Sequence, residues 1–170
     1  MAVPTLTRVC SPVARRIHDR IEYWKKNGPM FGWVNGILYG KIVGMVPLGL
    51  TPVALVVAAY PSRASAGMGM SITNEYTGIA EIAVCGSDMN AQDGYEKFID
   101  TIDDVVKIVG EVEQKTAWDS LTSGSAYGET IRFTANRPLT IDYPEQEKGQ
   151  SYSHLAIVRW EWAAHVAWEA

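Results

Sequence analysis

The chain has 170 residues, 47% of them hydrophobic and 20% charged, with a net charge of −4. That length fits one domain, here residues 1–170, and the apolar content excludes general disorder. The negative balance argues against sequence-specific nucleic-acid binding by bulk positive charge, and two cysteines exclude a disulfide-rich scaffold.

Residues 1–10 read as an extended N-terminal arm, with Pro4 early and no periodicity. Ser11-Pro12 is a helix start, serine capping and proline at the first helical position. Val13, Ile17, Ile21 and Trp24 then recur at helical spacing, and Asn27-Gly28-Pro29 stops the run. The pattern predicts a helix over 12–27. Residues 28–50 hold six glycines and are expected to be a glycine-rich loop or insertion, with short strands possible at 33–39 and 41–46.

No charged residue occurs from Ile42 to Ser62, a run long enough to cross a bilayer of ~30 Å. Pro47, Gly49 and Pro52 break it, so the expectation is a buried strand over 53–60 after an apolar loop, and no membrane span. Residues 61–69 have loop composition, and 70–85 read as the hairpin partner. Tyr95, Phe98, Ile99, Ile102, Val105, Val106, Val109 and Val112 define an amphipathic helix that starts near Asn90 or Asp93. Strands are expected over 129–134, 139–143 and 153–168. In the last, Val158, Trp160 and Trp162 share a face, and its length predicts a bulge or bend. The fold class is α+β: a mostly antiparallel sheet with two main helices packed on one face.

Chemistry-bearing motifs are scarce. His18, His154 and His165 form no HExxH or HxH pair, and neither Cys10 nor Cys85 sits in a CxxC pair. Gly67-Met68-Gly69 lacks the third glycine of a dinucleotide fingerprint, and Asp103-Asp104 reads as a solvated helix face. No catalytic residue, cofactor or metal is expected. Charge, in contrast, is unevenly spread. Residues 1–63 carry eight bases and two acids (+6), and the remainder seven bases and seventeen acids (−10). Such a dipolar chain can associate with itself head to tail.

Four segments together, SPVARRIHDRIEYW, AEIAVCG, DGYEKFIDTIDDVVKIV and SHLAIVRWEWAAHVAW, give a layout over 11–168 that resembles the tail terminator (tail completion, neck) proteins of tailed bacteriophages. The glycine-rich segment departs from the simplest version of that layout. The resemblance implies a structural virion protein without enzymatic activity, assembled in the host cytoplasm. It would form a homo-oligomeric ring, a hexamer, that caps the tail tube and docks to a head-completion or connector protein. Phe31, Trp33, Tyr39 and Arg63, with the arm, are the candidate interface residues. The alternatives are another neck or tail-tube component, or a small ligand-binding domain or enzyme with a pocket under the glycine-rich loop.

Overall fold

A computed structural model of the chain describes residues 10–40, 53–66, 73–86, 91–113, 130–133, 139–144 and 154–167. The fold is α+β, with two helices against a mostly antiparallel sheet. Helix α1 spans Cys10–Asn27, two residues earlier than its cap signal suggests. Pro12 falls in the first turn, where its missing N–H costs nothing. Val13, Ile17 and Ile21 are buried along one stripe. The helix ends as expected, with the Gly28 N–H on the Trp24 carbonyl at 2.9 Å. The Asn27 side chain satisfies a second late carbonyl, that of Tyr23.

The glycine-rich segment is not one loop. Strand β1, Val34–Tyr39, lies within it and pairs in parallel with β2, Val53–Ala66. A register shift between Val34 and Gly36 puts Val34 opposite Val53 and Ile37 opposite Leu55. This bulge turns two residues three apart toward the same face, which a regular strand cannot do. The other strand considered, 41–46, lies outside the described residues.

The loop expected over 61–69 is corrected: β2 continues to Ala66, with a register shift between Pro61 and Arg63. Proline is tolerated there for two reasons. It sits at a bulge, and β1 pairs only as far as Val57, so β2 has no neighbour in β1 by residue 61. Strand β3, Thr73–Gly86, completes the hairpin. Helix α2, Ala91–Glu113, follows and packs over β3 and over β6, His154–Ala167. Strands β4, Thr130–Phe133, and β5, Thr140–Asp142, both pair with the free side of β6. The sheet order is β1-β2-β3-β6-β4. The bulge expected in β6 is absent along its pairing with β3, where fourteen residues of each strand pair without a shift.

Strand alternation divides the sheet into two faces. Val53, Leu55 and Val57 join Ala80, Ile82 and Val84, and Ala156, Val158, Trp160 and Trp162, under both helices. Phe98, Ile102, Val105, Ile108 and Val109 cover them from α2. Each such aliphatic or aromatic side chain contributes about 1.5–3 kcal/mol by leaving water. The opposite face carries a smaller buried cluster of Ala54, Val56, Ala83, Cys85 and Leu155, on which neither helix lies. No described helix is long and apolar enough to cross a membrane.

Burial pushes the Cys85 thiol up to about 12. A folded-state value above the ordinary 9.0 means that the stability it contributes is complete below pH 9 and is lost as pH rises toward about 12. In a Cys10→Ser background, Cys85 is expected to react with a disulfide reagent at pH 8 only as fast as the chain opens. Trapping kinetics with and without urea check this: a native-state rate near that of a free thiol contradicts the burial.

Candidate functional site

Two polar constellations stand out against the apolar sheet, one on each face. On the helix-free face, Glu81 of β3 lies directly opposite Arg159 of β6. The Arg159 Nε donates to Glu81 Oε1 at 2.6 Å, and the Tyr60 hydroxyl donates to the same oxygen at 2.6 Å. The Arg159 Nη1 reaches Asp142 of β5 at 3.0 Å. Four strands, β2, β3, β6 and β5, thus meet through one phenol hydroxyl, one guanidinium and two carboxylates. The Glu81 side chain is only 11% exposed and so needs both partners. The Tyr60 hydroxyl is raised above its ordinary value, first by burial and then by its bond to Glu81. Its contribution to stability is therefore complete below pH 10 and is lost above it, in the same direction as that of Cys85. Both ends of this network are saturated with each other, which suits a strand clamp.

Glu81→Ala is expected to cost about 2 kcal/mol, between the ~0–1 of an exposed pair and the ~3–5 of a buried one, because Arg159 keeps Asp142. Urea unfolding measures it; a loss under about 0.5 kcal/mol contradicts the clamp.

The second constellation joins the turn after α1 to the outer side of α2. Phe31 takes a left-handed backbone conformation, φ 61°, which a non-glycine residue adopts only when its surroundings hold it there. Two contacts do so. Its ring is completely buried in the core, and its N–H donates to Asp104 Oδ2 at 2.9 Å. The turn thereby stands off α2 and leaves a groove of about 390 Å³. Pro29, Gly32 and Trp33 form one wall; Asp100, Asp103, Asp104 and Lys107 form the other. The Lys97 ammonium lies 5.2 Å from the Trp33 ring centroid, a cation–π geometry. Asp104 is engaged by the Phe31 N–H and, at 4.0 Å, by Lys107.

Of the residues singled out in the sequence, Phe31 is corrected: a completely buried ring is a core residue and offers no side-chain surface to a partner. Trp33, 46% exposed, lines the groove. Tyr39, 55% exposed, ends β1 and stacks on His18 of α1 at 4.9 Å. Arg63 pairs through its backbone with Thr77, and its side chain lies outside the described residues, as does the arm over 1–9. Among the described side chains, Trp33 lines the groove beside α2 and Tyr39 packs on α1, so the two do not share one site. Sequence reasoning missed Tyr60, Glu81, Arg159 and Asp142. The available signal was a lone acid in AEIAVCG and a lone base in LAIVRW, each a charge inside an apolar strand.

Among the described residues, no group of three or more His, Cys, Asp and Glu side chains is placed to hold a metal ion. His154 stacks on Phe98 at 5.3 Å, and His18 lies 3.4 Å from Asp19. No protein-family model and no curated protein matches the chain.

Proposed function

We propose that the chain is a structural virion protein of the tail terminator kind, which self-associates into a ring, caps the tail tube and docks it to the head connector. The observation that carries this reading is the element order. A basic N-terminal helix, a long hairpin, an acidic amphipathic helix and a long aromatic strand share one sheet, with both helices on one face. That is the layout by which the sequence resembles the terminator family. The mechanism is complementarity of shape and charge, and no covalent step is involved. Ring and tube contacts are heterologous, so an added layer stops growth when its outer face differs from the face it docks with.

Light scattering on the purified chain, with and without isolated tail tubes, tests the reading. A closed oligomer, or incorporation that depends on a tube end, supports it. A strict monomer that ignores tubes overturns it. The groove beside Trp33 favours a second reading, a small ligand-binding domain; a ligand-dependent rise in Tm with no self-association would select that one.

A further inference from the structure

We infer that the groove between the 29–33 turn and α2 receives Arg15 and Arg16 of α1 from a second copy of the chain. This inference rests on the ring reading and names the surfaces that meet in it. Helix α1 carries five bases and two acids; α2 carries seven acids and two bases. The two helices sit side by side on one sheet face, α1 mainly over β2 and α2 over β3 and β6. Arg15, Arg16, Lys25 and Lys26 make no ion pair among the described residues, and neither do Asp100 and Asp103. These four bases and two acids are therefore uncompensated among the described residues, and the two sets are complementary in charge.

The groove suits a guanidinium in particular. Asp100 and Asp103 offer carboxylate acceptors for its planar fork, and the indole of Trp33 across the groove offers a stacking face. Trp33 already binds one cation, Lys97, against its ring. The apolar wall of Pro29, Gly32 and Trp33 lowers the local dielectric, which strengthens a charge pair formed there. Because donor helix and acceptor groove are different surfaces of one chain, a docked pair leaves one of each unfilled. The contact therefore propagates from chain to chain, and it gives a ring where the rotation between neighbours closes.

Charge-reversal pairs of the full chain test this. One variant is Asp100→Lys with Asp103→Lys, and the other is Arg15→Glu with Arg16→Glu. Asp104 is kept, since it holds the Phe31 N–H. Circular dichroism first establishes that both fold. Sedimentation velocity at low salt, with tube fragments as the second readout, then follows association. Each variant alone is expected to associate at least about tenfold more weakly than the parent chain. Mixed one to one, the two are expected to recover association in alternating order, since the native helix of the groove variant meets the native groove of the helix variant, and the two reversed surfaces also meet with opposite charge. If the parent chain assembles or caps tubes and the Asp100/Asp103 variant does so equally well, the groove assignment is overturned while the ring reading stands. The same holds if the groove variant loses only binding of a divalent cation or a free basic peptide. If the parent chain associates neither with itself nor with tubes, both fall.

Discussion

Trp162→Ala is expected to lower the stability of the chain by about 4 kcal/mol, within the ~3–5 range for truncating a buried large aromatic. Trp162 is completely buried, the largest side chain to be so among the described residues. It sits in the middle of β6, under the helices, and lies across Gly78 of the neighbouring β3. Removing it empties space that no adjacent side chain can enter without a backbone shift, because β3 and β6 pair without interruption on either side. Among the described residues its indole N–H has no hydrogen-bond partner, and neither does that of Trp160. An unpaired buried donor costs about 1–3 kcal/mol. Trp162→Phe, which keeps most of the volume and deletes the orphan donor, is therefore expected to cost about 1 kcal/mol. Urea unfolding of both variants separates the contributions. Equal losses for Ala and Phe would contradict the assignment of the stability to filled volume.

Gly78→Val carries the second large effect, and its sign runs against propensity. Valine is a far better strand former than glycine, so an exposed strand position would gain. At Gly78 a Cβ would fall within the indole of Trp162, 2.8 Å from Cη2 and closer still to Cε2 and Cζ2. Trp162 is completely buried, so the strand must part or the ring must leave its rotamer. A cost of about 3 kcal/mol or more follows, at the upper end for overpacking. The coupling is diagnostic. In the Trp162→Ala background the clash is gone, and Gly78→Val is expected to be neutral or stabilising, a non-additivity of about 3 kcal/mol. Additive losses in the double mutant would show that the two residues do not share one site.

Both helices were legible because 3.6-residue periodicity survives anything the rest of the chain does. The stripe Val13, Ile17, Ile21 and the stripe Phe98, Ile102, Val105, Val109 are the buried ones. The hairpin and the final strand were legible from alternation, and Val158, Trp160 and Trp162 do share the core face. What escaped depended on partners distant in sequence. Pro61 reads as a strand stop unless the short reach of β1 is known. Phe31 reads as an exposed loop aromatic in a glycine-rich stretch. Only the left-handed turn, held by Asp104 seventy-three positions away, drives its ring inward. The Tyr60–Glu81–Arg159–Asp142 clamp needs the β3/β6 register, which no local pattern specifies. Trp33 and Tyr39 are exposed, the first on the groove wall and the second at the end of β1.

The central claim is that copies of this chain gather at the end of a tail tube. Its most direct test is to count them there. A chain labelled at an added terminal tag, mixed with isolated tubes and imaged by electron microscopy, is expected to place a fixed small number of labels at one end of each tube, with tube growth halted at that end. Labels spread along the tube wall, or no labels on tubes at all, would contradict the account.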